Sequence, residues 1–361
     1  MNNPFIENGF LTTNVSINKL FINKIPSEKV SKNLKGKRSG DIFSTDLLID
    51  EIIKNAKDLK LDITKIEHKL LPKYLQECLD SEDFVVKETA NKIADLFGER
   101  LGIILLTLKK GEKENREKRS DWKDEHWDYW AQIENVILVG GLATGKLGRS
   151  LEKAVYKVFK EEQEEPYKII LVDNSSEVGI LGCSKFIKNS IENQYNLVFD
   201  FGQSFIKRSL VKLGNNNGII DEVIKLQNIK SQNVGWEFIN SSEEKEEASA
   251  LNEHLVSSII ETLKICNENK YIIGSEIIIS IANYIKDGKV VNRGGYGKLG
   301  LITDNYERYL EEALFREFNK EYKVKMIHDG TAMAAAFSEY ENSVCISLGT
   351  ALGVGFPIKN N

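Results

Sequence analysis

The chain has 361 residues, enough for two domains and a sizeable core, and its 41% hydrophobic and 29% charged content is ordinary for a globular protein. A net charge of −5 argues against a general nucleic-acid binder. No apolar run resembles a signal peptide or is long enough to span a bilayer, so the expected location is cytoplasmic, with neither nucleic acid nor membrane as partner. Cys78, Cys183, Cys266 and Cys345 are widely spaced, lie in apolar patterns and form no CxxC, which predicts buried free thiols rather than a metal knuckle or a disulfide framework.

Residues 1–38 carry little pattern beyond short β-like alternation over 10–22 and a basic stretch, 32–38, expected to be a solvated loop. Ser44 or Thr45 can cap a helix over LLIDEIIKNAK, and 62–78 reads as helical with a break near Pro72. Residues 81–108 form the clearest long helix, with Ser81 as cap and Phe84, Ala90, Ile93, Ala94, Phe97, Leu101, Ile104 and Leu105 at helical spacing; that face is core. The charge run 111–120 is expected to be a solvated connection. The aromatic stripe of Trp122, Trp127, Tyr129 and Trp130 could stack on a base or pack against the domain, and packing is the preferred reading. NVILVGG over 135–141 is a buried-type strand ending in Gly140 and Gly141, where a flat ligand could approach the backbone, and a helix follows to about 160. It is not GxGxxG and no acidic residue follows at the required distance, which argues against a dinucleotide site. A strand over 168–172, a helix over 177–188 with the small residues Gly179, Gly182 and Cys183, and a polar link over 189–196 come next.

Residues 196–213, NLVFDFGQSFIKRSLVKL, read as strand, glycine turn and strand. Asp200 ends the first apolar run, Gly202 permits the turn, and Gln203 and Ser204 complete it. A strand-end carboxylate followed by such a turn suits metal and phosphate: Asp200 can hold Mg²⁺ through water, turn N–H groups can face phosphate oxygens, and Lys207 adds positive charge. An ordinary hairpin with a polar turn is the plain alternative. A strand over 218–224, a helix over 243–268 with an acidic start, a strand over 276–282, a turn at Asp287-Gly288 and a flexible loop with Gly294, Gly295, Gly297 and Gly300 follow. After a helix over 305–319, the strand 323–327 delivers His328, Asp329 and Gly330 to the start of an alanine-rich helix over 331–339. There Asp329 can be a general base towards a hydroxyl, or simply the helix cap. His328 reads as a positioning or packing residue rather than a metal ligand, because no partner His or Cys is near in sequence. Residues 343–358, SVCISLGTALGVGFPI, repeat the hairpin layout around Gly349 and Thr350, which suggests an internal duplication.

Taken together, these pieces resemble the sugar-kinase branch of the actin-like ATPase superfamily, most closely the ROK and hexokinase families. FDFGQSFIKRSLV is similar to the first phosphate motif and CISLGTALGVGF to the second. IHDGTAMAAAF resembles the strand-end catalytic aspartate with its small-residue helix, SEIIISIANYIKDGKV the strand and turn before the sugar loop, ILVGGLATGKLGRSL the adenosine motif, and ILVDNSSEVGILGCSKF the closing strand and helix. The motifs cover roughly residues 40–358, but the adenosine segment precedes the first phosphate hairpin, whereas the family has it near the end. Reading from 196 to 361 and then from 1 to 189 restores the usual order, which points to circular permutation, with Met1 and Asn361 expected to be neighbours. The zinc-binding His and Cys cluster of ROK proteins is absent, the family's Glu and Gly-His sugar contacts have no counterpart, and His328 stands where Asn usually precedes the aspartate.

What the resemblance implies is an α/β protein with two RNase H-like lobes around an ATP cleft in permuted order: 191–341 as one lobe, and 1–190 with 342–361 as the other. The implied activity is ATP-dependent phosphoryl transfer to a small hydroxyl acceptor, a hexose or amino sugar, as in a cytoplasmic, Mg²⁺-dependent kinase of carbohydrate metabolism. Asp329 would be the catalytic base and Asp200 the Mg²⁺ ligand. Gly202, Gln203, Ser204, Lys207, Gly349 and Thr350 would meet the phosphates, Gly140 and Gly141 the adenosine, and Asn283, Asn292 and His328 the acceptor. A non-catalytic ligand-sensing or scaffolding member of the superfamily is the alternative, and a homodimer is left open.

Overall fold

Two periodicities divide the chain into strands and helices, and the result is a mixed α/β structure. The computed structural model describes residues 2–25, 32–173, 175–214, 219–232, 235, 241–291 and 294–357. Among these, residues 2–7, 14–176 and 339–357 form one compact unit (unit 1), and 8–13 and 177–338 form a second (unit 2). No helix among the described residues is long and apolar enough to cross a membrane.

Unit 2 is built on one sheet. Tyr195–Phe201, Phe205–Leu213 and Ile220–Lys225 form an antiparallel meander, and Ile273–Ile281 then Lys323–His328 add in parallel on the far side of the first strand. Side chains alternate across the sheet with a period of two. Leu197, Phe199, Phe201, Ile277, Ile279 and Ile281 share a core with Leu251, Leu255, Ile259 and Leu263 of the long helix Ser241–Glu268 and with Leu310 and Leu314 of Tyr306–Phe318. On the opposite face Val198, Ile278 and Ile327 meet Ile180 and Cys183 of helix Ser175–Ser184 and Ala332 of helix Asp329–Ala335.

That second layer moves the expected domain boundary. The border falls at 176/177 rather than 190/191, and at 338/339 rather than 341/342. The reason is Gly182: a Cβ there would lie 1.6 Å from the Ala332 carbonyl oxygen, so this helix crosses the Asp329 helix at backbone distance. The helix is also shorter than expected. Past it, the buried Glu276 carboxylate accepts from the N–H groups of Lys188 at 2.7 Å and Asn189 at 3.0 Å, and from the Asn189 side-chain amide at 3.0 Å. The edge strand Lys323–His328 is closed by carboxylates of helix Tyr306–Phe318: Glu311 takes the Val324 N–H at 3.1 Å and Glu307 the Met326 N–H at 2.7 Å.

Unit 1 has a four-stranded sheet in the order Leu352–Gly355, Ser343–Leu348, Asn135–Val139, Lys168–Leu171, with the first pair antiparallel and the others parallel. Helices Phe84–Lys110 and Gly145–Glu161 cross tightly, because a Cβ on Gly98 would sit 2.5 Å from that of Ala154. Asp83, not Ser81, caps the long helix, and Pro72 lies in the first turn of Leu71–Cys78 instead of breaking an interior. The charge run is not wholly solvated. Buried Asn115 accepts the N–H groups of Asn23 and Lys24 at 2.8 Å, and buried Arg119 donates to the carbonyls of Asn14 at 2.7 Å and Ser16 at 2.8 Å. These side chains satisfy an N-terminal segment that has little ladder of its own. Trp122, Trp127 and Trp130 are buried, and Phe5 stacks on Phe356 at 5.4 Å beside them, so the aromatic stripe is packing. On the edge strand Leu352–Gly355 Asn18 clamps Leu352, accepting its N–H at 2.9 Å and donating to its carbonyl at 2.8 Å. The expected neighbours Met1 and Asn361 lie outside the described residues.

Candidate functional site

Three parallel strands of unit 2 end together. Register places Asp200 opposite Ser280, and Ser280 opposite Ile327, two residues before Asp329. The carboxyl ends of parallel strands are where α/β folds gather ligand-binding groups. Asp200 is held from two sides: Lys207, its cross-strand partner, donates to Oδ2 at 2.8 Å, and buried Ser280 donates to Oδ1 at 2.8 Å. Its side chain keeps 15% of its surface exposed. Gly179 lies against it, and a Cβ there would be tight, 3.3 Å from Oδ2. Cys183 is fully buried nearby, and burial together with the Asp200 charge pushes its thiol well above the ordinary value, which makes it inert.

Asp329 opens the helix Asp329–Ala335, but it is not the cap. His328 is: its Nδ1 accepts the Thr331 N–H at 3.3 Å. The Nε2 of the same ring lies 3.2 Å from Asp329 Oδ1, and that oxygen also accepts the Gly330 N–H at 2.7 Å. Tyr284 stacks on the imidazole with ring centroids 4.5 Å apart. Burial holds the Asp329 carboxyl above the ordinary carboxylate range; the adjacent His328 opposes that shift and the Asp200 carboxylate adds to it. Burial likewise lowers the His328 pKa. Oδ2 of Asp329 has no hydrogen-bond partner among the described residues.

The turn after Asp200 is rigid. The Gly202 carbonyl accepts from the Tyr296 hydroxyl at 2.8 Å and the Ser231 hydroxyl at 2.7 Å, and Ser204 O takes the Ser231 N–H at 3.1 Å. The Gly202 N–H, expected to face phosphate, is already bonded to Asp200 O at 3.0 Å and Phe205 O at 3.2 Å. The N–H groups of Gln203 and Ser204 have no partner among the described residues. The glycine loop expected to be flexible is instead a buried 3-10 helix, Gly295–Leu301, which carries Tyr296 against Phe201. Burial raises the Tyr296 pKa to about 12, so its hydroxyl remains a donor. Asn283 is buried and donates to Gly294 O at 3.2 Å, which ties down the loop that was expected to contact the acceptor. Asn292 lies outside the described residues.

The remaining expected residues belong to unit 1. Gly140 has φ +96 and packs against strand end Leu348, where a Cβ would be 2.5 Å from the carbonyl; no atom would crowd a Cβ on Gly141. Gly349 O accepts the Thr45 N–H at 2.9 Å, and the N–H groups of Gly349 and exposed Thr350 have no partner among the described residues.

Ser231, Ser280, Tyr284 and Tyr296 were not anticipated from the sequence. Ser280 left a trace, as the one polar residue in the run Ile277 to Ile281. The other three act across 94 residues or fewer through pairings that periodicity does not reveal. No protein-family model matches the chain, and no curated protein matches it.

Proposed function

We propose that the chain is an ATP-dependent phosphotransferase that moves the γ-phosphoryl group to a hydroxyl of a small acceptor, a hexose or an amino sugar. The observation that carries this reading is Asp329, with one oxygen bonded to the Gly330 N–H beside the His328 ring and the other open, two strands from a second strand-end carboxylate and its clamped glycine turn. In the proposed reaction the acceptor hydroxyl oxygen bonds to the γ-phosphorus, the bond to the bridging oxygen breaks to release ADP, and the hydroxyl proton passes to Asp329 Oδ2. Phosphoryl transfer needs mainly alignment and charge neutralisation.

The residues fit Mg²⁺. Among the described residues no three His, Cys, Asp or Glu side chains gather as a protein-only metal cage. Mg²⁺ prefers one or two carboxylates, substrate phosphates and retained water, and Asp200, whose two oxygens each take one donor and keep a lone pair, would meet that need through water. When bound, the ion neutralises phosphate charge. Ser280 and Lys207 hold the Asp200 carboxylate in one orientation, and the Gln203 and Ser204 N–H groups are the turn's phosphate donors. The Gly349–Thr350 turn of unit 1 offers the same kind of donor.

Topology supports the actin-like, permuted assignment. In unit 2 a hairpin's first strand pairs in parallel with Ile273–Ile281, which pairs in parallel with Lys323–His328. In unit 1 the first strand of hairpin 343–355 pairs in the same way with Asn135–Val139, and that strand with Lys168–Leu171. The two units thus share this strand plan, which supports reading them as RNase H-like lobes, but in unit 1 the hairpin comes last in the chain. The stacking of Phe5 on Phe356 brings residues near both ends together, as a permuted chain requires.

The test is ADP release from Mg-ATP across hexoses and amino sugars. Acceptor-dependent release is expected, and Asp329→Asn should lower it by roughly 10²–10⁴-fold with nucleotide affinity unchanged. Unaltered turnover in Asp329→Asn removes the base assignment; nucleotide binding with no turnover on any acceptor favours a ligand-sensing protein.

A further inference from the structure

We infer that His328 is a positioning residue for Asp329: a neutral imidazole, protonated on Nε2, that clamps Oδ1 and leaves Oδ2 as the oxygen that receives the acceptor's proton. The catalytic half of this inference rests on the phosphotransferase reading; the geometric half does not.

The tautomer follows from the partners. A backbone N–H can only donate, so the Thr331 N–H at 3.3 Å requires a lone pair on Nδ1. In a neutral ring the proton then resides on Nε2, which faces Asp329 Oδ1 at 3.2 Å. A neutral ring is what this site favours, because His328 is only 9% exposed and borders a cavity of about 90 Å³ lined by Phe10, Leu11, Phe186, Ile285 and Met326, with the Lys325 cation and Thr331 also on its wall. Tyr284, stacked at 4.5 Å and 9° from parallel, stops the ring from flipping out. Both nitrogens and one face of the ring are therefore engaged.

The consequence for Asp329 is asymmetry. Oδ1 accepts the Gly330 N–H at 2.7 Å, and His328 Nε2 stands 3.2 Å from the same oxygen. A hydrogen bond on one side and a ring nitrogen at close approach on the other bias that oxygen away from the acceptor and orient the carboxylate. The proton-accepting role falls to Oδ2, aimed by a ring that never touches the substrate. The first ring nitrogen makes His328 a cap; the second makes it a clamp.

Two measurements test this. Nitrogen-15 NMR of the labelled full chain should show the His328 ring as the Nε2–H tautomer; the Nδ1–H tautomer would overturn the clamp. In turnover, His328→Ala should lower kcat by on the order of tenfold to a hundredfold with the KM for ATP unchanged, because the base is misaimed rather than lost. His328→Asn, which keeps both a cap acceptor and an amide donor, should recover most of that loss. An Asn variant no better than Ala, or an Ala variant equal to wild type, would overturn the positioning role. If no acceptor is turned over at all, the phosphotransferase reading fails by itself, and the NMR tautomer still decides the clamp.

Discussion

At the scale of single residues, Asp329 exchanges stability for readiness. Its pKa is raised by burial and by Asp200, against the pull of His328, so the native state binds this proton more tightly than the unfolded chain does. The sign follows: the group's contribution to stability is complete below the ordinary carboxylate pKa of 3.8 and is lost as pH rises through the higher native value. Asp329→Asn should therefore melt at a somewhat higher temperature than wild type near neutral pH, since the amide oxygen can still accept from Gly330 without a partly buried charge. The difference should vanish in melts taken below pH 3.8. Turnover should move the other way. A base must be ionised, so the acid limb of kcat is expected to lie above the usual carboxylate range. Asp200 and Asp329 were legible because each follows an apolar run at a strand end. That His328 and not Asp329 caps the helix was not legible, since the choice depends on which side chain bends back to Thr331.

Elements obeyed their periodicity where one face was buried and departed from it where glycine served packing. The strand Phe205–Leu213 has the bounds its alternation predicts, and the long helix Phe84–Lys110 differs from expectation by a few residues at its cap. The segment Gly295–Leu301 looked like a flexible loop because glycine is permissive, yet its small residues let a 3-10 helix seat Tyr296 and Lys298 in the interior, where Lys298 pairs with Glu247. Composition does not separate glycine that bends from glycine that lets backbones approach. Gly182 is of the second kind. Gly182→Ala should force helix Ser175–Ser184 away from Ala332 and destabilise unit 2 by about 1–3 kcal/mol, seen as a lower midpoint in urea with unchanged slope. Because the Asp329 helix loses that backing, acceptor-dependent turnover should fall as well.

For the molecule as a whole, the connectivity makes its own prediction. If the order is permuted, a chain opened after Ile191 in the exposed link, with the present ends joined by a flexible linker, should fold and keep the parent's circular dichroism and melting transition. A cut there spares the hydrogen bonds that Glu276 makes to Lys188 and Asn189. Failure to fold would argue that the present order is not a rearrangement of a simpler one. A side chain that bonds a strand 334 residues away is beyond any local pattern, which is why Asn18 and its hold on Leu352 were invisible beforehand. That hold, like those of Glu307 and Glu311 on Met326 and Val324, has a further consequence. Each border of pleated backbone so occupied is withdrawn from templating a foreign ribbon, so at these two edges resistance to fibril growth depends on three side chains, two of them presented by the helix Tyr306–Phe318.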